Sequence, residues 1–189
     1  MLGDELFISK YDPNWIERFR KGSSQLKKIL KYHIIELYHI GSTSIPNLCA
    51  KPIIDMILEV QSFNNRYEWI KLLQNAGYRY IDKWNEVMPF RRLFARHANN
   101  DFSDKVLEHL HIVEQGHRFV KRHLLFRDFL RLSEKDCKAY CEMKKELVNS
   151  GIARKDYNEM KTDFIQSLDR KAHVWKYGKE LPSDYYENN

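Results

Sequence analysis

Residues 53–60, Ile-Ile-Asp-Met-Ile-Leu-Glu-Val, alternate in a way that only an extended strand can use. Side chains two apart share a face of a strand. Ile54, Met56, Leu58 and Val60 therefore line one side, and Asp55, Ile57 and Glu59 the other. So apolar a run belongs in the interior of a sheet, which places Asp55 on a buried strand. A carboxylate there is costly without a cation or hydrogen-bond donors beside it, so Asp55 calls for a partner. A second alternating stretch, Val106 to Glu114, sets Leu107, His109, His111 and Val113 on one face.

Helical spacing governs the flanks. Asp12 to Lys31 predicts a helix with an apolar stripe at Trp15, Ile16, Phe19, Leu26, Ile29 and Leu30, weakened to a bend at Gly22-Ser23-Ser24. A strand over Ile34 to Ile40 follows, then the turn-rich Gly41-Ser42-Thr43-Ser44-Ile45-Pro46-Asn47. Asn64 to Ala76 reads as an amphipathic helix stopped by Gly77, and Tyr78 to Asp82 and Arg91 to His97 read as strands. After Gly116 the pattern turns helical and basic: His117 to Arg131, a helix beginning at Ser133 with a Ser133/Asp136 cap, and a third over Lys155 to Lys176. The fold class expected is α+β. A mixed β-sheet with flanking helices occupies residues 1–115, a C-terminal helical unit packed on it residues 116–180, and a loose tail residues 181–189.

Composition narrows the function. No apolar run approaches the ~20 residues of a membrane span, and the opening MLGDELFISKYDP lacks the pattern of a signal peptide. The expectation is a cytoplasmic protein with no membrane partner. Three cysteines do not make a disulfide framework; Cys137 and Cys141, four apart on one helical face, read as two small core residues rather than half a metal site. A formal net charge of +6 leaves nucleotides, phosphorylated metabolites and RNA open. The phenylalanines among the bases of 117–131 (Phe119, Phe126 and Phe129) fit a core stripe better than a nucleic-acid surface, so a nucleic-acid partner is not favoured.

Chemistry concentrates between residues 39 and 55. Glycine at the end of a strand removes the Cβ that would block a phosphate, and the turn's amides and hydroxyls can face an anion. Gly41, Ser42 and Thr43 are the candidate cradle, with Lys51 and one of Arg91, Arg92 and Arg96, Arg92 foremost, as cationic partners. Asp55 is the candidate catalytic carboxylate and metal ligand. His109 and His111 project to one side of their strand and can complete a site for magnesium or manganese, or for zinc. His39 reads as a positioning residue. Glu59 shares the face of Asp55, but i and i+4 on a strand lie about 13 Å apart against about 6.6 Å for i and i+2, too far for one metal cluster.

The block His39-Ile40-Gly41-Ser42-Thr43-Ser44-Ile45-Pro46, with Ala50-Lys51-Pro52-Ile53-Ile54-Asp55, resembles the GrpB-like family of the nucleotidyltransferase-fold superfamily. Tyr11-Asp12-Pro13-Asn14-Trp15, Gly77-Tyr78-Arg79-Tyr80, His109-Leu110-His111-Ile112-Val113-Glu114 and Leu124 to Leu130 extend the likeness over about residues 8–170. The resemblance implies a Gly-Ser turn on nucleotide phosphates, an Asp-x-Asp pair on the next strand holding catalytic metals, and a third acid from a later strand. This chain reads Asp55-Met56-Ile57, so the second acid is missing. The leading expectation is a nucleotidyltransferase-like protein that binds a nucleotide at Gly41-Ser42 with a divalent metal on Asp55 and transfers a nucleotidyl group. The alternatives are a catalytically impaired module that binds a nucleotide or a phosphorylated metabolite, such as a coenzyme A precursor, and an RNA-associated basic protein.

Overall fold

A computed structural model describes residues 7–64, 66–99, 105–153, 156–183 and 185–186. Helix α1 (Asn14–Leu30) leads through a short 3₁₀ turn to β1 (Glu36–Ile40), and the 41–53 turn leads to β2 (Ile54–Val60). Helix α2 (Arg66–Asn75), β3 (Tyr78–Ile81), β4 (Arg91–His97) and β5 (Val106–Glu114) complete the sheet unit. Helices α3 (Arg118–Leu132), α4 (Glu134–Asn149), the single turn α5 (Tyr157–Met160) and α6 (Thr162–Tyr177) form the helical unit. The five strands lie in the order β1-β2-β5-β4-β3, mixed because β2 and β5 run parallel while the other pairs are antiparallel.

The two faces divide as the alternation requires. Ile54, Met56, Leu58 and Val60 join Phe94, Leu110 and Ile112 against α1 and α2, where Trp15, Leu26, Leu30, Trp69 and Leu73 are buried. Each such side chain contributes about 1.5–3 kcal/mol by leaving water. The opposite face carries Ile40, Ile57 and Val113, covered by Phe119 and Val120 of α3. A separate helical core forms around Phe129, Leu130, Cys137, Tyr140, Leu168 and Ala172. Ile45 and Leu48 of the 41–53 turn insert into it while Ala50 packs in the sheet core, so that turn is held by two cores at once.

The turn is also tied by polar contacts. Arg127 Nη1 donates to His39 O at 3.0 Å, and Arg131 donates to Ser44 O from Nε and Nη2 at 3.1 and 2.7 Å. Arg127 also pairs with Asp128 at 2.7 Å. Cys141 is not a plain core residue: it forms a disulfide with Cys49, joining the turn to α4, while Cys137 is free and buried.

Helix α1 continues through Gly22, where a Cβ would come within 3.1 Å of Glu108 Oε1. The glycine is there for close approach to a buried carboxylate, which Arg96 and the Tyr78 hydroxyl satisfy. The third helix is interrupted at Lys161, separating α5 from α6 and burying Tyr157 beneath the turn; Lys155 lies outside the described residues. Of the tail expected at 181–189, residues 184 and 187–189 lie outside the described residues; within the rest, the Tyr186 hydroxyl donates to Asp169 Oδ2 at 3.1 Å, which Arg122 also holds. Among the described residues, no helix is long and apolar enough to cross a membrane.

Candidate functional site

The 41–53 turn, the sheet face of Asp55 and the helical unit enclose a cavity of about 520 Å³. Sheet register builds its floor. Asp55 of β2 pairs with His109 of β5, Ile57 with His111, and Leu93 of β4 faces His111 across the next ladder. The backbone at Gly41 has φ 67° and ψ −176°, and a Cβ there would lie 2.5 Å from Asp55 Oδ2. Glycine is therefore required twice, by the backbone and by the carboxylate packed against it.

Asp55 Oδ1 accepts from His109 Nδ1 at 3.0 Å, and both side chains keep about a third of their surface exposed, at 30% and 32%. Burial pushes the Asp55 carboxyl up, but the His109 hydrogen bond and the charge of Lys161 outweigh it and hold it below its ordinary value. The hydrogen bond to the carboxylate fixes the His109 proton on Nδ1, so the tautomer that this geometry selects has its lone pair on Nε2. His111 is the complement. Burial and the Arg91 guanidinium push its pKa well below the ordinary value, so the ring is neutral. Its Nδ1 accepts from Arg91 Nη1 at 3.1 Å, which leaves the proton on Nε2.

Cations dominate the walls. Arg91 is half-buried beside Phe119, and its Nε is buried without a partner. Lys144 of α4 is only 2% exposed and donates to Ser42 Oγ at 3.0 Å and to Cys49 O. Burial lowers its pKa to about 7. Lys51 and Lys161 lie over the ring of Tyr157, 4.0 and 4.9 Å from its centroid. Burial pulls the Lys161 pKa down, while Asp55 pulls it up. Three lysines and one arginine thus line the cavity with one carboxylate.

The structure gathers Gly41, Ser42, Thr43, Lys51, Asp55, His109 and His111 at one site. Thr43 serves the turn rather than a ligand: its hydroxyl donates to Ile53 O and accepts from His39 Nε2. His39 is buried against Phe19, and burial drops its pKa to about 4, so it is a neutral strut, as its position before the turn suggests. Arg92 is the correction. It points to the other face of β4, donates to Pro89 O and Arg91 O, and lies over Phe63. Period two gives its place in the cavity to Arg91. Lys144 and Lys161 escaped the sequence reading. The signal was that Lys144 continues the buried stripe of Cys137 and Tyr140 on α4, where a lysine is out of place.

The donor set does not fit the metal pair of a nucleotidyltransferase. Ile57, at the second acid's position, is fully buried against Phe119 and Val120. Glu59 is spent at the far end of β2, accepting from Tyr38 and the Gly116 amide. The Nδ1 lone pair of His111 faces Arg91, and Lys161 stands beside Asp55. Among the described residues, no group of three or more His, Cys, Asp or Glu is placed to hold a metal ion. The expectation of a metal on Asp55, His109 and His111 therefore finds no cage here.

The family model described as GrpB protein matches residues 5–171. The UPF0157 protein YqkA of Bacillus subtilis is 36% identical over 173 residues, covering 91% of this chain but 48% of YqkA, so the chain spans about half of that relative. The crystal structure of the conserved protein GrpB from Enterococcus faecalis is similar at a TM-score of 0.80 and 31% identity, over 92% of this chain and 100% of that one. Cid1 in complex with its short product ApU is similar in fold alone, at a TM-score of 0.51 and 12% identity over 71% of this chain and 41% of that one. A mixed sheet with the glycine turn packed on the first β2 carboxylate, matched by the family model over most of its length, makes this chain a member of the GrpB family with a nucleotidyltransferase-like fold.

Proposed function

We propose that this chain binds a phosphate-bearing ligand, a nucleotide or a phosphorylated metabolite, in the cavity, and that it does so without a divalent metal. One observation carries the reading: Lys51, Arg91, Lys144 and Lys161 converge on a space that holds a single carboxylate. A site of this charge repels a free cation and attracts an anion. The unpartnered Arg91 Nε is a donor waiting for an acceptor, and a guanidinium matches phosphate in two-pronged geometry. A volume of about 520 Å³ suits a nucleotide-sized guest. Metal-assisted nucleotidyl transfer has less support, because the second acid is replaced by a core isoleucine. The RNA reading has less still, because Arg122, Arg127 and Arg131 of the basic helix are engaged within the fold.

The test is calorimetric titration of nucleoside triphosphates and coenzyme A precursors in EDTA and in magnesium. Binding persists in EDTA. Arg91→Ala weakens it about tenfold or more, since a hydrogen bond to a charged group contributes ~1.5–3 kcal/mol, while Arg92→Ala leaves it unchanged. Absence of binding to any phosphorylated compound, or equal losses in the two variants, overturns the proposal.

A further inference from the structure

The geometry points to His109 as a general base: we infer that the Asp55–His109 pair activates water for metal-independent cleavage of a phosphoanhydride held in the cavity. The inference rests on the cavity being a phosphate site and adds a reaction to it. The carboxylate orients the ring and fixes its tautomer, because Asp55 Oδ1 takes the Nδ1 proton at 3.0 Å. The Nε2 lone pair is then the free end of the imidazole, on a side chain one-third exposed at the cavity. His111, its ring centroid 6.5 Å away, has the opposite tautomer and offers Nε2–H as a donor, because Arg91 occupies its Nδ1. The two imidazoles thus present one acceptor and one donor to the same space. Asp55 is a positioning residue, acting through the ring it holds.

The step balances with water as co-reactant. His109 Nε2 removes a proton from water as the water oxygen forms a bond to phosphorus. The P–O bond to the bridging oxygen breaks, and its electron pair leaves with the departing phosphate. His109 then releases its proton to solvent. Charge developing on the phosphoryl oxygens meets Arg91, Lys161 and the His111 Nε2–H, fixed donors in place before the reaction. The leaving oxygen faces cations rather than a carboxylic acid, which suits a phosphate leaving group, stable as an anion, over an alkoxide. The metal pair implied by the fold is thereby replaced in both of its usual tasks, nucleophile activation and charge neutralisation, by groups the chain already holds.

The experiment uses the whole protein in EDTA with nucleoside triphosphates in ¹⁸O-labelled water, reading products by chromatography and mass spectrometry and affinity by calorimetry. The expected result is turnover with ¹⁸O in one phosphate product. His109→Asn, whose amide can still donate to Asp55, is expected to slow turnover about 100-fold or more, the range of a general base, with affinity within about threefold of wild type. Free imidazole restores turnover to His109→Ala and not to Asp55→Asn; a merely structural pair would show no rescue in either variant. Binding without turnover, turnover abolished by EDTA, or His109→Asn as fast as wild type overturns this inference and leaves the binding proposal standing. No binding at all overturns both.

Discussion

Replacing Gly41 by alanine adds one methyl group at the most constrained point of the site. The backbone there, φ 67° and ψ −176°, lies in a region that only glycine occupies readily, so a side chain costs about 1–3 kcal/mol in conformational strain alone. The new Cβ would sit 2.5 Å from Asp55 Oδ2 and 3.1 Å from Asp55 Cβ. The first contact is not tolerable and the second is tight, and β2 cannot retreat because Ile54, Met56 and Ile57 are fully buried on both sides of the sheet. Overpacking of this kind costs about 1–3 kcal/mol more, so Gly41→Ala is expected to lose about 2–6 kcal/mol. The two contributions separate in a double-mutant cycle. Asp55→Ala removes the contact with the carboxyl group but keeps Asp55 Cβ and the backbone strain, so Gly41→Ala in that background loses the backbone part and the smaller Cβ contact, and the cycle shows a coupling of about 1–2 kcal/mol. Urea unfolding of the four proteins measures this. A loss below about 1 kcal/mol for Gly41→Ala, or strict additivity of the pair, refutes the account of the turn packed on Asp55.

Lys144 and the disulfide give two further tests. The Lys144 pKa, about 7 in the fold, lies below the ~10.4 of an unfolded lysine. The unfolded chain therefore binds more protons between those values, and unfolding free energy rises with pH across that window; wild type gains on Lys144→Met from pH 7 to 10 in urea unfolding, and a constant difference refutes the burial. Cys49–Cys141 closes 92 residues of chain, a constraint of about 4–5 kcal/mol in the chain-entropy picture. Calorimetry with and without reductant is expected to show the melting temperature fall by roughly 10–15 °C, with ligand affinity reduced because the bridge ties the turn to the helix of Lys144; an unchanged melting temperature removes the disulfide from the account.

The sequence read most clearly where one physical pattern ruled. β4 and β5 have the bounds that period-two alternation predicts, and β2 divides its faces at Asp55 and Ile57 as the pleat requires. It read poorly where two distant segments share one contact. Gly22 reads as a weak point of its helix because Glu108, which needs the space, is 86 residues on. Cys141 looked like core because Cys49 is 92 residues back. The sequence offers Arg91 and Arg92 on opposite faces of the pleat, and only the neighbouring strand shows which face is the cavity. Lys144 and Lys161 fall in stretches whose lysines read as solvated; Lys144 is covered by the turn through Ser42, and Lys161 lies over the Tyr157 ring.

Charge explains how the proposed phosphate site is compatible with Ile57 standing where the resemblance implies a second acid. In the arrangement the resemblance implies, three carboxylates are more than offset by two divalent cations, and the phosphates meet a modest net positive charge. Removing carboxylates without removing the need for positive charge leaves a site that must draw cations from elsewhere. Here one carboxylate survives, and it is matched by Lys51 from the turn, Arg91 from β4, Lys144 from α4 and Lys161 from the α5–α6 break. Two of these come from the helical unit, so that unit is part of the site and not a cover for it. The buried, disulfide-tied position of α4 then has a physical purpose. An ammonium at 2% exposure is held at the turn only because Ser42, Cys49 O and the Tyr140 ring receive it, and those receivers are fixed in place by the same Ile45 and Leu48 that anchor the turn in the helical core.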